Sequence, residues 1–204
     1  MYIPDDNQMN DQIEIVDFMK RFSFALIITS KDNVPTATHL PFLVRVEDDE
    51  IVLNSHFAKE NPQWKDLVYN TALIVFSEPH AYISPKLYDK TLNVPTWNYL
   101  AVHAYGKAKI ISESDAVMAV LNATVTNYEM GYKAQWERLP EQYKVNLAKG
   151  IVAFEIVVTD LQAKKKISQN KTESEKLNII NSLSKSEDSN ANLIAEYMRK
   201  NQES

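Results

Sequence analysis

Between Trp97 and Ser112 the chain alternates without a break. Trp97, Tyr99, Ala101, His103 and Tyr105 fall on one side of an extended segment, and Asn98, Leu100, Val102, Ala104 and Gly106 on the other. This is the longest strand candidate in the sequence. Its second face is small and mainly aliphatic, as the inside of a narrow barrel requires. Its first face carries three aromatic rings and an imidazole, too much for bare solvent, and must meet a ligand, a second subunit or a packed helix.

The segments around it supply the rest of a small antiparallel barrel. A short amphipathic helix over 13–21 precedes an apolar, β-branched strand at 22–29. Lys31-Asp32-Asn33 turns the chain into a second strand over 34–46, where Pro35 and Pro41 cannot donate to a ladder and so point to an edge or a break. Glu47-Asp48-Asp49 makes the next turn into a strand ending at Ser55. A helix at 61–69, strands at 71–77 and 80–85, helices at 114–130 and 140–149, and a strand from 151 complete the pattern. Six or seven strands at hairpin spacing, with helices inserted late, favour a mostly β barrel over a doubly wound sheet. Residues 1–170 are expected to form the barrel domain, with 171–204 a helical extension packed on it.

Composition removes several chemistries. With no cysteine, disulfides, zinc–thiolate sites, iron–sulfur clusters and a cysteine nucleophile are excluded. Gly106, Gly131 and Gly150 are the only glycines and none has another nearby, so neither a dinucleotide-binding G-x-G-x-x-G nor a Walker A loop can be drawn. His39, His56, His80 and His103 show no paired spacing for a metal, and none is expected. The amino-terminal residues have no apolar targeting core and no apolar run approaches a membrane span, so a cytoplasmic location is expected. A net charge of −5 and the lack of an evident helix-turn-helix make direct DNA binding doubtful.

Two stretches gather polar groups. In Ser55–Trp64, SHFAKENPQW, a hydroxyl, an imidazole and the Lys59 ammonium precede an Asn-Pro helix start, an arrangement suited to an anion such as phosphate. An ordinary strand–loop–helix connection with a solvated lysine accounts for the same residues. In Lys164–Asn170, KKKISQN, Lys166, Ser168 and Gln169 are candidates to face an anionic cofactor or a partner chain, with a solvated strand end as the alternative.

Seven strings, MYIP at the start, ATHLPF (37–42), SHFAKENPQW (55–64), PHAYISP (79–85), VPTWNYLAVHAYG (94–106), VAFEI (152–156) and KISQN (166–170), resemble in order and spacing the PaiB family of FMN-binding negative transcriptional regulators. The resemblance implies an antiparallel split β-barrel of the pyridoxamine-phosphate-oxidase type, a homodimer, and FMN at the subunit interface. It sets Thr38, His39, Leu40 and Pro41 along the flavin ring and Ser55, His56 and Lys59 on the phosphate side. Trp97, Asn98 and Tyr99 approach from the strand near the dimer seam. The chain departs from the family at Asn54, where glycine is common, at Lys59, where arginine is common, and at Ala163 within QAKKKISQN, which bears on flavin affinity. The family role implied is negative regulation of transcription, acting indirectly through flavin or a partner. An FMN-dependent oxidoreductase or flavin reductase and a haem-binding split barrel are the alternatives.

Overall fold

The computed structural model describes residues 1–203. In chain order its elements are α1 (Gln12–Arg21), β1 (Phe24–Lys31), β2 (Val34–Pro41), β3 (Leu43–Glu47), β4 (Glu50–Ala58), α2 (Gln63–Leu67), β5 (Thr71–Phe76), β6 (His80–Ile83), β7 (Thr96–Ile111), α3 (Ser114–Tyr128), α4 (Lys133–Arg138), α5 (Glu141–Lys149), β8 (Ile151–Lys166), α6 (Glu173–Leu183) and α7 (Ser189–Glu203). The eight strands form one sheet of order β2-β1-β5-β7-β8-β4-β3, with β6 added on β7. The chain groups into two compact units, one of residues 16–76 and 103–161, the other of 1–15, 77–102 and 162–204.

The larger unit is built from hairpins. β1 pairs with β2 from Phe24↔Pro41 to Lys31↔Val34, and β3 with β4 from Leu43↔Asn54 to Glu47↔Glu50. Each hairpin therefore closes through two residues, and both members of each pair have positive φ: Asp32 (51°) and Asn33 (62°), Asp48 (49°) and Asp49 (67°). That is the turn whose twist matches paired strands, and aspartate and asparagine tolerate it better than other side chains in a glycine-poor sequence.

The expected strand over 34–46 is two strands, separated at Phe42. Pro41 lacks an N–H for further ladder pairing, the Phe42 N–H donates to the Ser23 carbonyl at 2.8 Å, and the chain leaves β1 for β4. β2 and β3 lie at opposite ends of the strand order, so this crossing carries the chain from one end of the sheet to the other, as in a barrel. The Phe42 side chain enters the core, edge-on to Phe76 (6.0 Å between centroids) and Phe154 (6.2 Å), while Phe57 stacks on Phe154 at 5.2 Å. Each such ring is worth about 1.5–3 kcal/mol through removal from water. Asn98, Leu100, Val102, Ala104 and Gly106 are all buried, as the alternation of β7 predicts. Helix α4 is an element the sequence pattern did not show, and α2 is five residues long rather than nine.

In the second unit β6 pairs with the first part of β7, from His80↔Tyr99 to Ile83↔Thr96. A complete capping box starts α6: the Thr172 hydroxyl accepts from the Glu175 N–H, and the Glu175 carboxylate accepts from the Thr172 N–H. Helix α7 packs on α6 and β6, burying Ile194, Ala195 and Met198. The extension expected over 171–204 therefore associates with residues 77–102 and the chain start, and its last residue, Ser204, lies outside the described residues. Among the described residues no helix is long and apolar enough to cross a membrane.

Candidate functional site

In the larger unit, β1, β2 and α2 meet around one buried amide. Gln63 is 1% exposed, and its Nε2 donates to the Ile27 carbonyl (3.1 Å), the Thr29 hydroxyl (3.3 Å) and the Thr36 carbonyl (3.0 Å). The Thr38 hydroxyl donates to Gln63 Oε1 at 2.5 Å and accepts from Asn61 Nδ2 at 3.0 Å. Asn61 Oδ1 in turn accepts from the Gln63 N–H at 3.0 Å, the capping function that Asn-Pro predicts. Thr38 is thus fixed by the loop that carries Lys59. Neither Gln63 nor Asn61 was singled out as a site residue; the signal was present only as the amides of N-P-Q at a helix start.

His39 is exposed with its ring stacked on Phe24, 6.0 Å between centroids and 21° between planes, while Leu40 is buried and Pro41 half-buried. Pairing only with β1, β2 presents the other edge of its backbone outside the ladder. The Ser55 hydroxyl donates to the Pro41 carbonyl at 2.7 Å. His56, its neighbour on β4, leaves the sheet on the opposite face because strand side chains alternate. Burial holds the His56 imidazole below its ordinary value of 6.5, so it is neutral at pH 7 and interacts there by hydrogen bonding rather than charge. His103 is pushed in the same direction, mainly by burial.

Lys59 is exposed, and its ammonium has no acid partner among the described residues. Its N–H donates to the Gly150 carbonyl at 2.9 Å and its carbonyl accepts from Trp64 Nε1 at 3.1 Å. With Trp64 and Lys149 it borders a cavity of about 370 Å³ whose other walls include Val117, Met118, Val145 and Val152. Since α2 has only five residues, the cation and not a helix dipole is the positive feature of this loop.

The second unit holds the remaining candidates. Asn98 and Ser168 are buried and bonded to each other, Asn98 Nδ2 to the Ser168 hydroxyl at 2.9 Å and that hydroxyl to Asn98 Oδ1 at 3.1 Å. Ser168 holds φ at 63°, a conformation this bond helps to fix. Trp97, 52% exposed, lies against His80 and Tyr82, each 5.8 Å away. Tyr99 faces the Lys164 ammonium at 5.2 Å, and the Tyr2 ring faces it at 5.8 Å. Lys164 is buried and also donates to the Tyr2 carbonyl at 3.2 Å, whereas Lys165 pairs with Glu14 at 2.7 Å. The Lys166 ammonium bonds the Thr96 hydroxyl, and Gln169 bridges the Ile167 N–H and the Lys165 carbonyl. Lys166, Ser168 and Gln169 line a cavity of about 380 Å³ with Lys171, Asn93 and Asn7, where Lys171 sits 3.9 Å from the Tyr88 ring centre.

These donors suit an anionic cofactor: an exposed lysine on the loop after β4 in one unit, and in the other two lysines with amide and hydroxyl donors in a cavity of ligand size. Among the described residues no cluster could hold a metal. Residues 1–160 match the family model described as "Putative FMN-binding domain". Protease synthase and sporulation protein PAI 2 of Bacillus subtilis is 39% identical over 201 residues, 97% of this chain and 96% of that protein. The FAD and haem binding protein of Mycobacterium smegmatis (TM-score 0.63, 16% identity, 78% of this chain and 73% of that one) shares the fold. So does the flavocytochrome Anf3 of Azotobacter vinelandii (TM-score 0.63, 16% identity, 78% of this chain and 68% of that one). Motifs, barrel and family match coincide, and the chain belongs to the PaiB family of FMN-binding split-barrel proteins.

Proposed function

We propose that this protein is a homodimeric, flavin-responsive regulator that holds FMN along β2 and carries the family's negative effect on transcription through flavin or a partner protein rather than by reading DNA. The observation that best supports the ring side is the free outer edge of β2, where backbone groups of Thr38, His39, Leu40 and Pro41 can bond the polar rim of a planar ligand. On the phosphate side Lys59 supplies the charge and neutral His56 a hydrogen bond, while Ser55 fixes the end of β2 through the Pro41 carbonyl. The exposed Trp97, with Tyr82 and His80, is the surface offered to a second copy, and an aromatic cluster that a partner desolvates is a common anchor of protein interfaces. Asn98 and Ser168 fix the backbone from which Lys166 and Gln169 act.

When bound, FMN supplies one- or two-electron redox chemistry, and the protein supplies its orientation and shields it from water. The same relatives motivate the regulatory reading: PAI 2 is named for protease synthesis and sporulation. A net charge of −5 opposes a phosphate-tracking surface.

The test is the visible absorption of the purified protein across a sizing column, before and after adding FMN. Flavin bands on a dimer peak, reduced in Lys59→Ala and unaffected by DNA, are the expected result. A colourless protein that takes up no FMN overturns the cofactor reading, and salt-dependent DNA binding by the dimer overturns the indirect one. Sustained oxidation of a reduced nicotinamide would replace regulation with flavin reductase activity.

A further inference from the structure

Helix α3 turns Ala116, Ala119, Val120 and Ala123 to one side, the i, i+3, i+4, i+7 face of its helical period. Three of the four side chains are single methyl groups, and a cleft of about 200 Å³ lies between this face and the sheet. Its floor is a register row: Leu43 opposes Asn54, and Asn54 opposes Glu155. Residues directly opposite across strands share a face, so these side chains rise together beneath α3.

Asn54 is the informative residue. It is 3% exposed, and its Nδ2 donates to Glu155 Oε2 at 3.3 Å. Its Oδ1 is buried and has no protein hydrogen-bond partner. A buried acceptor left unpaired is costly, and because Asn54 lines the cleft a small side-chain rotation would bring that oxygen to a donor bound there. The charge beside it is unbalanced in the same sense. Arg45 bonds Glu155 at 3.2 Å through Nη2 and Glu47 at 3.2 Å through Nη1, so a single guanidinium serves two carboxylates. Arg45 also stands on the wall shared with a neighbouring cavity of about 630 Å³, and at 47% side-chain exposure it is free to swing towards Glu47 and open Glu155.

An unpaired acceptor, an excess carboxylate and aliphatic walls describe one kind of ligand. We propose that this cleft binds a small aliphatic ammonium, its N–H groups donating to Asn54 Oδ1 and to the Glu155 carboxylate while its alkyl body lies against Ala119, Val120 and Ile111. None of these residues is a proposed flavin contact, but Asn54 adjoins Ser55 on β4, so the separation from FMN binding rests on Ala119→Leu, which lies on α3.

The test uses the full chain titrated with n-butylammonium chloride at constant ionic strength, followed by amide cross-peaks of Asn54, Val120 and Ile111 in heteronuclear NMR. Saturable shifts at these positions with a millimolar dissociation constant are expected, while tetramethylammonium, of equal charge but without N–H, produces none. Asn54→Ala and Glu155→Gln should each weaken binding about tenfold, the scale of one lost hydrogen bond to a charged group. Ala119→Leu, which fills the cleft from the helix and leaves the polar floor intact, should abolish it. Shifts that do not saturate, or that tetramethylammonium reproduces, overturn the proposal, as does unchanged affinity in Ala119→Leu; in those outcomes Asn54 Oδ1 is a buried acceptor with no ligand role.

Discussion

A half-buried imidazole on β4 makes the molecule's stability depend on pH. His56 titrates below 6.5 in the folded protein, so between that lowered value and 6.5 the unfolded chain binds more protons than the folded one. Its contribution is fully present above pH 6.5 and is lost as pH falls through the folded value. Urea titrations across this range should show stability declining from pH 6.5 downwards, and His56→Gln should flatten the slope; a slope that persists unchanged would assign the effect elsewhere, with His103, shifted the same way, next in line. Gly106 is constrained by space rather than by φ. A methyl group there would meet the Val157 carbonyl oxygen at 2.4 Å and Ile156 Cγ2 at 2.5 Å. Gly106→Ala should therefore destabilise by about 1–3 kcal/mol, the usual cost of overpacking, or more because one neighbour is backbone. An unshifted denaturation midpoint would show that β8 gives way freely.

At the scale of elements, the clasp at Gln63 and the hairpin turns are the features most open to test. Gln63→Leu keeps the volume but leaves the Thr36 carbonyl and Thr38 hydroxyl short of their partner, and a loss of about 2–3 kcal/mol in chemical unfolding is expected. It should also loosen the Lys59 loop, visible as faster amide exchange at Asn61. The turn at Asp48-Asp49 holds two non-glycine residues at positive φ and places like charges side by side. Asp49→Gly should raise stability by about 1 kcal/mol, since the left-handed conformation costs an L-residue that much and glycine nothing. The same substitution within a strand would have the opposite sign, so the measurement checks the turn assignment itself.

For the whole molecule the property to test is the proposed self-association. Trp97 is half exposed in an aromatic cluster on β6 and β7, a state that is stable in water only as an isolated patch or as one side of an interface. Trp97→Ala should shift the sizing profile towards monomer and lower FMN occupancy, while Tyr69→Ala, which removes a still more exposed ring from the loop after α2, should do neither. Equal behaviour of the two variants would remove the interface from this face.

Much of the fold could be read from the chain because it is written in local chemistry. The period-two alternation of 97–106 predicted which side of β7 is buried, the Asp and Asn pairs predicted two tight turns, and Asn61-Pro62 predicted a capped helix start. Family motifs carried the cofactor class. What the sequence alone could not decide are matters of alternation and distance between segments far apart in the chain. That 34–46 breaks at Phe42 depends on a carbonyl at Ser23 and on two different partner strands. That Lys165 pairs with Glu14, while Lys164 lies between the rings of Tyr2 and Tyr99, depends on the chain start returning beside β8. That Asn54 keeps an unpaired oxygen depends on which face of α3 lies above it. Local propensity and pattern fix elements and their buried sides, whereas the pairing of charges and the satisfaction of buried polar atoms are settled only when remote segments are brought within hydrogen-bonding distance.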